Sequence, residues 1–169
     1  RVLFRSGVPV KQSPFGALKK VSGKLIQMWL GRDDAAPRRV DAGSAGPATF
    51  AAFPRHIIPH CHTEIVPFLH ICQTGLATMP DIIAESSVNL TDTVKVATEN
   101  RGVIRGIKAR MVSPALEIMG MEMPKLAKRA AREAGIPLMV HIGDTEKRYD
   151  PTVIRSLLPL LESGDILTH

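Results

Sequence analysis

From Arg38 onward, short apolar runs rich in β-branched residues alternate with longer stretches of helical period, and no other feature of the chain restricts its fold as much. Strands are expected over 38–42, 65–72, 103–111, 137–142 and 165–169. Between them, 122–134 sets Leu126, Ala130 and Ala134 at i, i+4 spacing, with Lys125, Lys128, Arg129 and Arg132 on other faces and Gly135 as a stop. The stretch 150–162 offers Asp150 as an N-cap, Pro151 in the first turn, and a stripe of Val153, Leu157 and Leu161. Pro159 is expected to kink it. Shorter helices are expected over 91–100, ending near Gly102, and over 47–58, the latter strained by Pro54.

Strand, helix and strand joined by connections this short imply a parallel sheet of right-handed units. Polar residues stand at the carboxyl ends of the five strands, namely Asp41, His70, Lys108, His141 and His169. Their separations of 29, 38, 33 and 28 residues approximate the repeat of about 31 expected for an eight-unit barrel of about 250 residues. The fold class expected is therefore α/β, an incomplete (β/α)8 barrel with about five units over 38–169. Residues 1–37 are broken by Pro9, Pro14, Gly16, Gly23, Gly31 and Pro37 and are expected to be irregular, apart from an amphipathic helix candidate over 18–30. The opening RVLFRS at 1–6 matches what a sequencing-library adaptor encodes in one frame, so part of this segment is expected to be non-native.

Charge and composition narrow the partners. The net charge of +6 is concentrated in residues 1–40, where nine Lys/Arg face two Asp/Glu, while the remainder holds thirteen and fourteen. A surface that grips phosphates interleaves its cations with the fold and uses aromatics, yet aromatics make up only 4% of this chain. Nucleic acid is not expected as a partner. No apolar window approaches the roughly 18 residues of a membrane span, and the start lacks the order of a signal peptide. With only Cys61 and Cys72 there is no disulfide framework, so the expectation is a cytoplasmic protein with no membrane partner.

Lys108 lies inside the apolar strand Gly106–Arg110, where an inward-facing amine loses its solvent and its pKa should fall. A neutral amine can add to carbon dioxide to give a carbamate, whose two oxygens can bridge two metal ions; alternatively the side chain snorkels past the strand end. His141 and His169 occupy matching places at the ends of their strands. Imidazole is a standard ligand for zinc and similar ions. Residue type and spacing leave both a metal site and ordinary satisfied polar groups open.

The runs DAGSAG at 41–46, GIKAR at 106–110, PLMVHIG at 137–143 and GDILTH at 164–169, in this order and at this spacing, resemble the amidohydrolase superfamily. The resemblance covers roughly 38–169 and is nearest to the deacetylase-like and dihydroorotase-like metal-dependent hydrolases. It implies a distorted (β/α)8 barrel holding one or two divalent metals, usually zinc, bridged by a carboxylated lysine. Lys108 matches that lysine, and His141 and His169 match the two histidines of the next strands. The implied reaction is attack by a metal-activated hydroxide on a non-peptide amide, cyclic amide or acetyl ester, with a small molecule as substrate. The family's opening His-x-His pair and its strand-eight aspartate, the general base, are not identifiable, so no catalytic residue is assigned. The chain by itself is expected to be inactive.

Other candidates are weaker. His60-Cys61-His62 has ligand letters but follows a helix and reads as a helix-end cluster, while His56 reads as helix surface. His70 and Arg110 sit near the expected barrel mouth and are candidates for the substrate pocket, although His70 could simply pack. Gly43 to Gly46 reads as a tight strand-to-helix turn, and Ser44 lacks the G-x-S-x-G context of a nucleophile. Asp144 and Glu146, just past His141, could orient a ligand histidine or lie in a solvated loop. Open first and last strands imply self-association, with a homo-oligomer as one outcome.

Overall fold

The computed structural model describes residues 38–77, 80–144, 148, 150 and 152–168. The helix expected over 18–30, Glu146, Pro151 and His169 lie outside the described residues.

Five strands, β1 (Arg38–Ala42), β2 (Glu64–His70), β3 (Gly106–Arg110), β4 (Leu138–His141) and β5 (Ile166–Thr168), form one sheet in sequence order. Every neighbouring pair is parallel. Parallel strands joined in this order curve into half of a barrel, the incomplete α/β barrel the sequence predicts. The observed strands are shorter than expected at most ends. The surplus residues of the 65–72 run, Ile71 and Cys72, are buried beyond β2 and supply loop packing instead.

Helices cover the outer face. Leu69, Ile107, Ala109, Leu138 and Val140 are fully buried there beneath α3 (Glu122–Ala134), whose Ala127, Ala130 and Ala131 let its backbone approach closely. Gly135, with φ 69°, ends α3 and donates its N–H to the carbonyls of Ala131 and Arg132, the left-handed stop the sequence predicts. α1 (Leu90–Glu99) starts at Asn89, whose side chain accepts the Asp92 amide. Two further helices, α2 (Ala115–Met119) and α4 (Val153–Leu157), are single short turns.

Three sequence expectations change. In place of an α-helix over 47–58, a π-helical turn spans Phe53–Ile57 and a 3-10 turn Ile58–His60. Pro54 and Pro59 lack the N–H groups that an uninterrupted α ladder needs. The helix expected over 150–162 is only α4 followed by a 3-10 turn at Leu158–Leu160, with Pro159 forcing the change. Its N-cap residue is Thr152, and Asp150 instead accepts the Thr152 amide at 2.8 Å. Lys128 is not on a solvent face: it is buried, with Nζ on Asp165 and 2.8 Å from Glu162. Asp165 also accepts the amides of Leu138 and Glu162, so this ion pair pegs the entry to β5 against β4. Helical period alone could not reveal a partner 37 residues away.

Among the described residues, no helix is long and apolar enough to cross a membrane.

Candidate active site

The inner face of the half-barrel has two storeys. Below, Val40, Ala42, Phe68 and Met139 form a second apolar cluster, flanked by Val66 and Ile166. Gly106 belongs to this storey because it pairs with Phe68, whose ring would lie 2.3 Å from any Cβ at that position. Above, the register sets His70 beside Lys108, and Arg110 beside His141 beside Thr168. These are the carboxyl ends of the strands, where barrels carry their chemistry.

Lys108 is only 1% exposed. Its Nζ crosses β4 to donate to Thr168 Oγ1 at 3.3 Å. Burial first, and then the charge of Arg110, lowers its pKa to about 7, with Asp81 acting the other way. The snorkelling alternative is therefore not what the chain does. The turn after β1 closes over the lysine's stem: Gly43, at φ 95°, is so close that a Cβ would meet Lys108 Cγ at 2.8 Å and His70 Cδ2 at 3.0 Å. That turn is held by Asp41, whose Oδ1 accepts both the amide (3.2 Å) and the hydroxyl of Ser44. Ser44 is thus a turn-former. Burial raises the Asp41 carboxyl to about 6 despite these bonds, and its Oδ2 has no hydrogen-bonding partner among the described residues.

His70 is fully buried. Its Nδ1 accepts the Cys72 amide at 3.0 Å, and its Nε2 lies 3.3 Å from Asp81 Oδ2. The other oxygen of Asp81 is 3.3 Å from Arg110 Nη1. Burial works to raise the Asp81 carboxyl, but His70 and Arg110 hold it below the ordinary range. The main-chain oxygen of Asp81 takes the Cys72 thiol at 2.7 Å, so the segment carrying Asp81 is tied to the end of β2. Arg110 retains partial exposure, with 19% of its side chain in contact with solvent.

The structure thus brings Lys108, Arg110, His141 and His70 to one end of one face, while His169 falls outside the described residues. His141 is half-buried at the end of β4. His60 ends a 3-10 turn and His56 is exposed, away from this face. Asp144 binds the amide and hydroxyl of Ser113, fixing the loop after β3 to the loop after β4. Asp81 and Thr168 were not singled out by sequence reasoning. For Asp81 a signal existed, since a carboxylate between Pro80 and Ile82-Ile83 is an unusual intrusion into an apolar run. Among the described residues no group of three His, Cys, Asp or Glu side chains is arranged to hold a metal.

No family model matches the chain. Among curated proteins it is similar to Deacetylase Atu3266 of Agrobacterium fabrum, 32% identical over 133 residues, covering 77% of this chain and 31% of the relative. A deacetylase of Brucella anthropi matches at 32% identity over 77% of this chain and 32% of its own length. Among solved structures, a dihydroorotase superposes with TM-score 0.64 at 31% identity, and an adenine deaminase with TM-score 0.65 at 28%. Each covers 77% of this chain and 34% of the other. The chain spans about a third of the length of the curated relatives it matches. With its parallel half-barrel and its buried strand-end lysine, the chain belongs to the amidohydrolase superfamily, on its deacetylase- and dihydroorotase-like side.

Proposed function

We propose that this chain forms part of a metal-dependent hydrolase that cleaves a non-peptide amide, cyclic amide or acetyl ester of a small molecule. The observation that carries this reading is the placement of Lys108, dry on the inner face at the carboxyl end of a parallel sheet, with His141 at the end of the adjoining strand. The similarity to proteins named deacetylase supports hydrolysis of an acyl bond.

The residues fit a divalent metal, zinc first among the choices. A buried amine beside an imidazole becomes a suitable donor set once the amine is neutral and carboxylated. Lys108 Nζ first gives up its ammonium proton; the neutral amine then adds to carbon dioxide, forming an N–C bond as one C=O π bond opens to C–O⁻ and a second proton leaves, so that a cation becomes a two-oxygen anion. Lys108, His141 and His169 would hold the metal. Bound there, the metal would lower the pKa of water and polarise the substrate carbonyl. Thr168 fixes where Nζ ends, and the apolar storey beneath keeps water from the lysine's stem. Arg110 stands at the rim of this face for contact with substrate, and His70 is buried behind Lys108 rather than open to it.

The test is zinc retained after dialysis in bicarbonate buffer, together with a carbamate signal in the ¹³C spectrum of protein equilibrated with labelled bicarbonate. Both are expected in the natural chain. Zinc should be lost in His141→Ala, and zinc and the carbamate signal together in Lys108→Ala. Zinc retention that is indifferent to both substitutions overturns the proposal.

A further inference from the structure

We propose that Asp81 is a positioning residue for Lys108 that acts through His70, so that the loop between β2 and α1 controls where the lysine amine points. The inference deepens the hydrolase reading and depends on it only for its consequence in catalysis.

Five contacts make the chain of influence. The imidazole of His70 and the stem of Lys108 are neighbours in register, and both press on the same point above Gly43. A ring turned about its Cβ–Cγ bond would therefore move against the lysine's methylenes. Two contacts oppose that rotation. The Cys72 amide donates to Nδ1, which requires a lone pair there and leaves the proton on Nε2. Asp81 Oδ2 lies 3.3 Å from Nε2, the two atoms are fully buried, and neither has a hydrogen-bonding partner among the described residues, so each is the nearest charge complement of the other. Asp81 is also drawn toward Arg110 and tied to Cys72 through its own carbonyl, so its carboxylate has little freedom to follow a turning ring.

Closely packed, fully buried groups transmit displacement because no void absorbs it. A carboxylate that holds the orientation of an imidazole is a known device for placing reactive groups. Here the orienting pair aligns an amine in place of a second imidazole. Lys108 therefore has its stem gripped by Gly43 and His70 and its tip by Thr168.

The experiment is NMR on the metal-free chain labelled with ¹⁵N-histidine and with ¹³C-lysine at Cγ and Cε, with Lys108 signals assigned by their loss in Lys108→Arg. In the natural protein His70 is expected as a single tautomer, with Nε2 protonated and Nδ1 bare, and with a nuclear Overhauser contact from its Hδ2 to Lys108 Hγ. Asp81→Asn should leave Nδ1 bare, because the Cys72 amide still donates to it, but weaken the Hδ2–Hγ contact and shift or broaden the Lys108 signals. Arg110→Gln, which leaves Asp81 in place, should keep that contact. An unchanged contact and unchanged Lys108 signals in Asp81→Asn overturn the inference. If that variant does not fold, a natural protein with Nδ1 protonated, or without the Hδ2 contact, overturns it equally. None of these readouts needs metal or turnover, so a failed zinc-retention test leaves them intact.

Discussion

Lys108 Nζ and Thr168 Oγ1, on strands that are not neighbours, meet at 3.3 Å across the inner face of the half-barrel. The contact ties the central strand to the last one and places the end of β5 beside the amine. It also means that a polar side chain lies where an apolar one would pack with less desolvation penalty.

Replacing that amine should therefore raise stability while removing function. Lys108→Met keeps the unbranched stem, one atom shorter, and loses the desolvated group. The metal-free variant is expected to gain about 1 kcal/mol in urea unfolding and to lose bicarbonate-dependent zinc retention altogether. A destabilised variant would mean that the amine contributes more through Thr168 than it loses by burial.

Asp41 gives a pH dependence of unusual sign for a carboxylate. Its folded pKa is raised to about 6 from 3.8, chiefly by burial, so the native state binds more protons between those values. Stability contributed by the protonated form is present below pH 4 and is lost as pH rises to about 6. Two pKa units correspond to about 3 kcal/mol. Asp41→Asn should abolish this component: in paired urea titrations from pH 4 to 7, the variant gains on the natural protein as pH rises. Parallel curves would refute the assignment.

The buried pair at the opposite end of the barrel should outweigh the exposed ones. Lys128→Met leaves Asp165 buried with only amide donors and is expected to cost about 3 kcal/mol. Arg129→Ala, which breaks only an exposed pair with Glu133, should cost less than about 0.5 kcal/mol beyond helix propensity. Chemical denaturation of the two variants side by side decides it.

Gly106 is a packing requirement. Gly106→Ala should destabilise by about 1–3 kcal/mol, because its Cβ would lie 2.3 Å from the Phe68 ring. Phe68→Leu in the same chain should recover part of that loss, and a double-mutant cycle measures the coupling. Strict additivity would show that the two positions do not compete for space.

The two carboxylates that matter most to the face illustrate how much was legible beforehand. Asp41 could be marked from its place at a strand end, as could Lys108 and His141, because strand ends are read from local alternation. Asp81 stands out only as a carboxylate within an apolar run; its role could not be read, since it lies in a loop and acquires that role only when the loop folds back over β2. The same limit hid Lys128, whose helical position looks solvent-facing until β5 arrives beside it. Pro54 and Pro159 could be flagged as disturbances, but whether a proline yields a kink, a π turn or a 3-10 turn depends on what the neighbouring turns pack against.

Sequence by itself determined the five strands in order, the long amphipathic helix with its glycine stop, and a lysine held within an apolar strand. All of these follow from side-chain periodicity and backbone preference over a few residues. Tertiary structure decided which groups meet: Lys108 with Thr168 across β4, His70 with Asp81, and Asp81 with Arg110. Such pairings depend on sheet register, curvature and loop closure, so they bring together residues whose separation along the chain carries no periodic signal.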